Sequence, residues 1–277
     1  MRKDTLYVSD MDGTLLGSDS RISARSAEII SRLSHEGAMI TVATARTPAT
    51  VVPLMADTYT DIPAVVMTGC SWWLREAGEF FEPFFLPEND VADALRICAE
   101  CNVHPFVYVM SPDNRTLDVY HAARGLNKAE EGFYLERCKL SGKRFHLRTA
   151  APERAGRYSM LLYGMGDAEP IKAAAEVFRK NTECSVCCYP DIFNENIYNL
   201  EVFPPGVNKA ESVERLKKKL GAERLVVFGD NLNDLSMLAV ADVAVAMGNA
   251  LPLVKEAADV VIEPNYTDAV ARFIEQD

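Results

Sequence analysis

The sequence contains no apolar run long enough to cross a membrane and no excess of basic residues. Lys and Arg number 29 against 40 Asp and Glu, which gives the 277-residue chain a formal net charge of −11 at pH 7. Without a basic stripe, nucleic-acid binding is not expected. The first residues lead into a strand pattern rather than into the apolar core of a signal peptide. We therefore expect a cytoplasmic protein that binds neither nucleic acid nor membranes.

Histidine is sparse, and neither the histidines nor the cysteines are spaced as a metal site requires. The four histidines show no ligand spacing, and the seven cysteines are an odd number in a chain without an export signal. The pairs Cys98/Cys101 and Cys184/Cys187 are separated by about eighty residues, far more than the ligand pairs of a zinc finger or ribbon. We expect reduced thiols rather than disulfides or structural zinc.

Strand and helix patterns alternate at both ends of the chain. Apolar runs at residues 6–10, 39–43 and 225–228 are each followed by a helical pattern. Continuous apolar strands that alternate with helices are typical of a doubly wound parallel sheet. The middle of the chain has a mixed pattern instead. We predict an α/β fold with a Rossmann-like parallel-sheet core from residues 1–83 and 195–277 and an inserted α/β domain from residues 84–194.

Two carboxylates stand at the end of the first apolar run. Asp10 and Asp12 stand two residues apart and are followed by Gly13. An aspartate can attack phosphorus and form an aspartyl-phosphate, and a second carboxyl group can protonate the oxygen that leaves. A plain Asp-Gly turn is the alternative interpretation of this pair alone. The nucleophile hypothesis gains support because three further groups suited to phosphate chemistry occur downstream.

Two of these groups could hold a phosphoryl group. Thr44 follows the second apolar run, where its hydroxyl and nearby backbone N–H groups suit phosphoryl oxygens. Lys209 stands in the first turn of a predicted helix, where the helix dipole disfavours a cation unless a bound phosphate compensates. Taken separately, Thr44 could simply end a strand and Lys209 could be a solvated surface residue.

The third group is an acidic segment after the last of the three apolar runs. Asp230, Asn233 and Asp234 offer carboxylate and amide oxygens at a strand-to-helix turn, and Mg²⁺ prefers such ligands. Helix capping is the alternative for these residues. Ligands of doubly wound sheets lie beyond the carboxyl ends of the strands. We therefore expect Asp10, Thr44 and Asp230 to meet at one site.

In this order, these residues resemble the four motifs of the haloacid dehalogenase-like phosphatase superfamily. The matching residues are Asp10-Met11-Asp12-Gly13-Thr14, Thr44, Lys209 and Gly229-Asp230-x-x-Asn233-Asp234. The Met247-Gly248-Asn249-Ala250 turn, together with the position and size of the insertion, is similar to the Cof-type branch. The resemblance implies a hydrolase core with an α/β cap that sets substrate specificity.

The resemblance also implies catalytic roles. Asp10 would be the nucleophile, and Asp12 would act first as general acid and then as base for the hydrolytic water. Thr44 and Lys209 would hold the phosphoryl oxygens, and Arg46 would contribute to substrate binding. These roles describe phosphomonoester hydrolysis through an aspartyl-phosphate intermediate.

A magnesium ion is the cofactor that the resemblance implies. Its predicted ligands are the side chains of Asp10 and Asp230 and the backbone carbonyl of Asp12, with Asn233 and Asp234 in support. The ion would spread the charge of the transferring phosphoryl group. The partner is expected to be a small phosphorylated metabolite, and a sugar phosphate is the class that we expect.

Some positions depart from the motifs. Ala45 and Ala210 stand where glycine is usual, but neither change removes a catalytic group. Thr68-Gly69-Cys70 replaces Asn-Gly-Ala, so a side-chain amide expected near the substrate is missing. Contacts to the leaving group therefore cannot be transferred from relatives at this position.

A further set of residues is expected near the hinge or the entrance of the site. These residues are Arg46, Trp72, Trp73, Asn194, Asn196 and Tyr198. We expect the two tryptophans to pack in a hairpin at residues 71–81 rather than to stack on a sugar. Residues 189–198 are the stretch in which we expect substrate contacts.

Two other functions are compatible with the motifs. A phosphomutase would return the phosphoryl group to the sugar instead of to water. A regulatory protein would bind a phosphoryl ligand without turnover. The presence of both Asp10 and Asp12 favours an enzyme over a regulator.

Overall fold

The structure, a computed structural model, describes residues 3–123, 125–191, 194 and 196–277. The chain divides into two compact units. The first comprises the residues up to Phe81 and those from Asn208 onward, and the second comprises Glu82–Val207. The second unit is therefore continuous in sequence and interrupts the first.

The first unit begins with a strand that is buried along its whole length. All five residues of β1 (Thr5–Ser9) are buried, as expected for a strand covered on both faces. The elements that follow are α1 (Ala24–His35), β2 (Met39–Val42), α2 (Pro48–Leu54), β3 (Ala64–Val66), β4 (Ser71–Leu74) and β5 (Glu79–Phe81). Helix α1 begins where the Ser23 hydroxyl accepts a hydrogen bond from the Ser26 N–H, which satisfies a free donor of the first turn.

The second unit is built on a six-stranded sheet. Its elements are α3 (Glu88–Glu100), β6 (Phe106–Met110), β7 (Leu117–His121), α4 (Lys128–Arg137), β8 (Lys143–Leu147), α5 (Ala155–Tyr158), β9 (Ser159–Asp167), α6 (Ala168–Asn181), β10 (Ser185–Pro190) and β11 (Ile197–Phe203). The strand order is β10-β11-β9-β6-β7-β8, and only β7 and β8 pair in parallel. Apolar residues of α3 and α6 pack together on one face of this sheet.

The chain returns to the first unit with a helix whose two ends are set by its sequence. The elements are α7 (Lys209–Leu220), β12 (Arg224–Gly229), α8 (Leu235–Leu238), β13 (Val243–Ala246), α9 (Pro252–Glu256), β14 (Val260–Val261) and α10 (Ala269–Gln276). At the start of α7, the Asn208 side chain accepts a hydrogen bond from the Glu211 N–H at 2.8 Å. Gly221 ends the helix with a φ of 68°, a left-handed conformation that glycine adopts without strain.

Five parallel strands form the sheet of the first unit, in the order β14-β13-β12-β1-β2. Leu6 of β1 lies opposite Leu225 on one side and Met39 on the other. A bridge between Ala43 and Val65 joins the end of β2 to β3, which forms a separate antiparallel sheet with β4 and β5. The predicted parallel α/β core is confirmed. Because the five strands run in one direction, their carboxyl ends share one edge of the sheet.

Four strands of the second unit, β7, β8, β10 and β11, were not predicted from the sequence. Strands β7 and β8 contain polar residues, so a search for apolar runs does not identify them. Asp118 of β7 accepts hydrogen bonds from Arg144 and His146 of β8 at 2.9 Å each. These charged groups pair across neighbouring strands, so the strands form without the alternation that usually identifies them.

The residue at which the chain re-enters the first unit differs from the predicted one. We placed it at residue 195, which lies outside the described residues, whereas the structure places it at Asn208. Strand β11 pairs with β9 and β10, so residues 197–203 belong to the sheet of the second unit. Because no strand was predicted at these residues, the sequence did not reveal that the second unit extends past residue 195.

Two compositional features can be compared with the structure. The seven cysteines are free thiols. The longest helix that is described, α6, has 14 residues, and none of the described helices has the length and apolar character needed to cross a membrane.

Candidate active site

The carboxyl edge of the parallel sheet carries three of the predicted residues. Asp10 directly follows β1, Asp230 directly follows β12, and Thr44 comes two residues after the end of β2. The Asp10 N–H donates to the Phe228 carbonyl at 3.0 Å, so the turn after β1 begins against β12. The parallel pairing of these strands thus brings together residues that are more than two hundred positions apart in the chain.

A buried lysine joins two of the aspartates. Lys209 Nζ donates to Asp10 Oδ1 at 2.6 Å and to Asp234 Oδ1 at 2.8 Å. The Lys209 residue is only 1% exposed, which excludes the alternative of a solvated surface lysine. Burial lowers the pKa of this ammonium, but the two carboxylates together raise the pKa by more than burial lowers it, so the net shift is upward. Lys209 therefore carries its charge throughout the ordinary pH range.

Asp234 is held by the backbone of the turn after β12. Its Oδ2 accepts from the N–H groups of Asp230 and Asn231, at 3.1 Å each. Gly229 makes this approach possible, because a Cβ at that position would lie 2.6 Å from the Cβ of Asp234. Because one Asp234 oxygen accepts hydrogen bonds from the backbone and the other accepts one from Lys209, Asp234 fixes the position of the lysine.

Three carboxylates form a cluster suited to a divalent cation. Oxygens of Asp10, Asp230 and Asp234 lie within 4.8 Å of one another. Burial raises the pKa of Asp10 to about 7; Lys209 lowers this pKa, and the charge of Asp234 adds to the rise. Burial and Asp234 likewise raise the pKa of Asp230 to about 6. A cation among these oxygens would relieve both desolvation and repulsion, and Mg²⁺ prefers carboxylate oxygens. The donor set therefore fits a magnesium ion.

The Asp12 side chain lies apart from this cluster and pairs with Arg46. Arg46 Nε donates to Asp12 Oδ2 at 2.7 Å, and Nη2 donates to Oδ1 at 2.6 Å. The hydrogen bond to Asp12 raises the pKa of Arg46. The Asp12 side chain is 55% exposed. Two residues to which separate roles were assigned, an acid and a substrate-binding cation, thus form one ion pair with planar, two-bonded geometry.

Thr44 is buried between two turns of the backbone. Its hydroxyl accepts a hydrogen bond from the Arg46 N–H at 3.1 Å, and its carbonyl accepts one from the Thr68 N–H at 3.0 Å. Thr68 adopts a φ of 58°, and among the described residues its buried hydroxyl has no hydrogen-bond partner. The residue that replaces the family's asparagine therefore lies next to Thr44, in a backbone conformation that asparagine adopts more readily than threonine.

Asn233 is not brought into the carboxylate cluster. It is exposed in the short turn Leu232–Asp234, and the described structure gives its side chain no hydrogen bond. Asn231 caps this turn instead, because its side chain accepts from the Leu232 N–H at 2.7 Å. Asp234 belongs to both arrangements, because its side chain accepts from the Asn231 N–H in a capping box and also lies in the carboxylate cluster, which Asp230 joins as well.

Two polar residues that were not assigned to the site hold the loop after β1. Thr14 Oγ1 donates to Asp230 Oδ1 at 3.0 Å, and Asn249 Nδ2 donates to the Gly13 carbonyl at 2.8 Å. Gly13 has a φ of 77°, and a Cβ there would lie 2.3 Å from Asp230 Oδ2. Both polar residues stand in the motifs quoted above. Their partners are far away in the sequence, so spacing alone gave no signal for these contacts.

We expect Thr14→Val to weaken metal binding, because Asp230 loses the hydroxyl that orients it. Loss of a group that orients a metal ligand typically costs about 10–100-fold in metal affinity. Titration of activity with Mg²⁺ would measure the change, with Thr149→Val, which removes an exposed hydroxyl in the second unit, as the matched control. An unchanged half-saturating Mg²⁺ concentration would show that Thr14 does not orient a metal ligand.

The raised pKa values also predict how stability depends on pH in metal-free protein. Between the ordinary value of 3.8 and the folded values of about 6 for Asp230 and about 7 for Asp10, the folded state retains protons that the unfolded chain releases. The contribution of these groups to stability is therefore greatest below pH 4, and on the order of several kcal/mol is lost as pH rises to 7, because each unit of pKa shift corresponds to about 1.4 kcal/mol. Urea unfolding in EDTA at several pH values would measure this loss.

The Asp230→Asn variant and added Mg²⁺ are the controls for this series of unfolding measurements. Asp230→Asn should reduce the slope between pH 4 and 6, where Asp230 contributes. Mg²⁺ added at pH 8 should restore stability, because the metal binds the deprotonated carboxylates. If the free energy of unfolding of the parent rose with pH relative to Asp230→Asn, the direction assigned to the pKa shift would be wrong.

The two tryptophans pack inside the first unit, as the hairpin interpretation predicted. Trp72 Nε1 donates to Ser212 Oγ at 2.8 Å. The Trp73 ring meets Phe80 edge-on, with centroids 5.1 Å apart. Both tryptophans are buried, so their ring faces serve the packing of β4 and β5 and not a ligand.

The stretch at residues 189–198 is only partly described. The residues outside the description are Ile192, Phe193 and Glu195. The Asn194 side chain accepts a hydrogen bond from the Asn196 N–H at 3.1 Å. Lys172 Nζ lies 4.1 Å from the centroid of the Tyr198 ring. These are contacts within the second unit, and the substrate contacts expected here stay a prediction.

A comparison with known protein families identifies the family of this chain. A family model described as haloacid dehalogenase-like hydrolase matches residues 7–274. The chain belongs to the haloacid dehalogenase-like hydrolase family. The resemblance drawn from the four sequence motifs is therefore confirmed. The match includes both segments that contribute to the carboxylate cluster and the unit inserted between them.

Curated relatives of this hydrolase are named as phosphatases. The chain is 28% identical over 274 residues to the 5-amino-6-(5-phospho-D-ribitylamino)uracil phosphatase YcsE of Bacillus subtilis, covering 97% of this chain and 94% of the relative. It is 24% identical to the pyridoxal phosphate phosphatase YbhA of Escherichia coli, covering 96% and 95%. A solved haloacid dehalogenase-like hydrolase from Bacteroides thetaiotaomicron superposes with a TM-score of 0.76 at 25% identity over 98% of both chains. The predicted enzyme class, a phosphatase of this family, is confirmed.

Proposed function

We propose that this hydrolase is a Mg²⁺-dependent phosphatase that cleaves a small phosphomonoester through an aspartyl-phosphate on Asp10. The observation that carries the proposal is the buried contact of Asp10 with Lys209 inside a cluster of three carboxylates. A carboxylate nucleophile must be held in line with phosphorus, and cationic groups must offset the charge of the phosphoryl group. The contact supplies both the fixed orientation and one of the cations.

In the first half of the reaction, Asp10 Oδ2 attacks phosphorus while Lys209 holds Oδ1. The bond from phosphorus to the leaving oxygen breaks, and the electron pair stays on that oxygen, which takes a proton from Asp12. In the structure, Arg46 donates hydrogen bonds to both carboxylate oxygens of Asp12. We therefore propose that Arg46 turns toward the phosphoryl group when substrate binds, which allows Asp12 to take up the proton it donates. Thr44 donates to a phosphoryl oxygen.

In the second half, Asp12 acts as a carboxylate. It accepts a proton from water, the water oxygen attacks phosphorus, and the bond between Asp10 and phosphorus breaks. Inorganic phosphate leaves, and the Asp10 carboxylate is regenerated. The two hydrogen bonds from Arg46 suit this half, because they fix the orientation of the carboxylate that acts as the base.

Asp10 and Asp230 would hold the magnesium ion, together with the backbone carbonyl of Asp12. Asp234 supports them through Lys209 and the backbone, and Asn233 stays a predicted supporting residue although it is exposed. When bound, the ion would neutralise charge on the phosphoryl oxygens.

The proposed substrate is a small phosphorylated metabolite, with sugar phosphates as the expected class. The names of the relatives mention two different phosphomonoesters, a ribitylaminouracil phosphate and pyridoxal phosphate. What these compounds share is the phosphate, and their leaving groups differ. We propose that the second unit is an α/β cap that selects the leaving group. A cytoplasmic location and the lack of nucleic-acid and membrane partners stay predictions from the sequence.

A phosphate-release screen tests the proposal. The purified chain is assayed with phosphorylated sugars, nucleotides and cofactors in Mg²⁺ and in EDTA, with Asp10→Asn as the blank. We expect Mg²⁺-dependent release that is absent in the blank. In parallel, each sugar phosphate is analysed for isomers. Isomer formation without net phosphate would identify a phosphomutase, and binding without turnover of any compound would identify a regulator.

A further inference from the structure

A short turn after β3 holds three consecutive residues in the left-handed backbone region. Met67, Thr68 and Gly69 have φ values of 51°, 58° and 96°. Glycine adopts such values freely, whereas methionine and threonine are strained there, and the β-branched threonine most of all. Strain of this kind persists only where the surrounding structure enforces it. The neighbours of residues 67–69 must therefore hold the turn in place.

One side of the turn holds the loop after β2. The Met67 N–H donates to the Arg46 carbonyl at 3.0 Å, and the Thr68 N–H donates to the Thr44 carbonyl at 3.0 Å. The Thr44 hydroxyl in turn accepts a hydrogen bond from the Arg46 N–H. Two adjacent N–H groups of the turn thus fix the backbone of a residue proposed to bind a phosphoryl oxygen and of the arginine that pairs with Asp12.

The other side of the turn packs against the start of α7. Gly69 lies so close to this helix that a Cβ at its position would be 2.4 Å from the Asn208 carbonyl oxygen and 2.9 Å from Ser212 Cβ. A backbone carbonyl cannot rotate away as the end of a long side chain can, so only glycine fits here. Asn208 caps α7, and Lys209 is the first residue of the helix. The turn therefore touches the residue directly before the lysine that contacts Asp10.

The turn thus connects two parts of the site that are far apart in the sequence. We propose that Gly69 is a positioning residue of the active site, through which the turn sets the spacing between Thr44 and Lys209. The phosphoryl-binding roles of these two residues rest on the proposed function, whereas the spacing is a property of the fold alone. Lys209 orients Asp10 through a 2.6 Å hydrogen bond, so a displaced helix start would also misalign the nucleophile.

Gly69→Ala tests the proposal by placing a methyl group against the start of α7. The methyl would overlap the Asn208 carbonyl, so the helix start has to move and carry Lys209 with it. With the best substrate from the screen, we expect kcat to fall about 100-fold, as for a misplacement of about 1 Å. We expect KM to change by less than about fivefold, because the phosphoryl group is still bound but no longer in line with Asp10.

Gly221→Ala is the matched control. Gly221 ends the same helix with a φ of 68°, and a Cβ there would meet no atom within 4 Å. The control therefore imposes backbone strain on α7 without pushing its first residue. It should lower the thermal midpoint but keep kcat within about twofold. An equal loss of kcat in Gly69→Ala and Gly221→Ala would overturn the proposal.

Thr68→Gly covers the case in which Gly69→Ala does not fold. Glycine accepts the φ of 58° without strain, and the substitution removes a buried hydroxyl that has no hydrogen-bond partner among the described residues. The thermal midpoint should therefore be no lower than that of the parent. We expect kcat to fall about fivefold or more, because two adjacent glycines no longer fix the turn. A merely structural turn would not lose activity in a variant of undiminished stability, so parental kcat in Thr68→Gly would contradict the positioning role.

Amide hydrogen exchange provides a readout that does not depend on turnover. It is measured by mass spectrometry on the full-length chain. In Gly69→Ala, exchange should be about tenfold faster in peptides that cover residues 44–47 and 208–212, whereas in Gly221→Ala the change should be confined to the end of α7. If the parent releases no phosphate, the proposed function fails, but the exchange pattern still tests the spacing. Unchanged exchange at both segments in Gly69→Ala would refute the positioning role alone.

Discussion

Asp10→Asn is expected to abolish turnover while the fold is retained. The amide has nearly the same shape as the carboxylate but cannot attack phosphorus. Asp234 also contacts Lys209, but it cannot replace Asp10 as the nucleophile because its two oxygens are bound by the backbone and by that lysine. Removal of a covalent nucleophile costs about 10⁴-fold or more in kcat. Steady-state phosphate release with the best substrate from the screen would measure the loss.

Asp19→Asn is the matched control for this substitution. Asp19 is an exposed aspartate that accepts a hydrogen bond from the Arg21 N–H nearby in the sequence. We expect it to leave kcat within about twofold, as for a surface substitution away from the site. A second readout is the acyl-phosphate itself, which should be trapped by hydroxylamine in the parent and in Asp19→Asn but not in Asp10→Asn. Phosphate release by Asp10→Asn at a tenth of the parental rate would contradict the assignment of the nucleophile.

The part of the site that lies at strand ends could be predicted from the sequence. Asp10 and Asp230 follow apolar runs, and parallel strands bring their carboxyl ends to one edge. The physical rule needs only the strand pattern, so it succeeds without knowledge of any side-chain conformation. Lys209 could be predicted for a related reason, because it stands at the start of a helix whose cap, Asn208, is readable in the sequence.

Side-chain pairing in the site could not be predicted in this way. Asp12 and Arg46 are 34 residues apart, and neither spacing nor residue type indicates that they form an ion pair with each other. The same limitation applies to Asn233 and Asp234, which are adjacent in one turn. Asp234 is fully buried, whereas Asn233 is exposed. The direction of each side chain is set by the backbone of the short turn after β12, which composition does not reveal.

The sheet of the second unit was harder to predict for an energetic reason. A strand of the parallel core is covered on both faces and must be apolar, as Leu6, Tyr7 and Val8 are. Strand β8 combines Lys143, Arg144 and His146 with apolar residues and is still a strand. Cross-strand ion pairs with Asp118 replace part of the apolar burial, and this compensation is visible only when the register is known.

Lys209→Met is expected to have the second large effect, on stability as well as on activity. The ammonium is the shared donor for Asp10 and Asp234, so the substitution leaves two buried carboxylates close together without a counter-charge. Breaking a buried ion pair by removing one partner costs about 3–5 kcal/mol. Urea unfolding in EDTA at pH 7 should show this loss. The loss should shrink toward pH 5 as Asp10, whose pKa burial raises to about 7, takes up a proton, and Mg²⁺ should recover part of it.

Lys217→Met on the same helix is the control that separates charge burial from loss of a lysine in general. Lys217 pairs with Asp242 at 2.6 Å, but both side chains are partly exposed, at 25% and 49%. An exposed pair contributes about 0–1 kcal/mol, so this variant should unfold close to the parent and keep its activity. Equal destabilisation of the two variants, or a Lys209→Met loss that does not depend on pH, would mean that Lys209 does not compensate the charge of the nucleophile. The loss of phosphatase activity in Lys209→Met would then have to come from the fold rather than from the site.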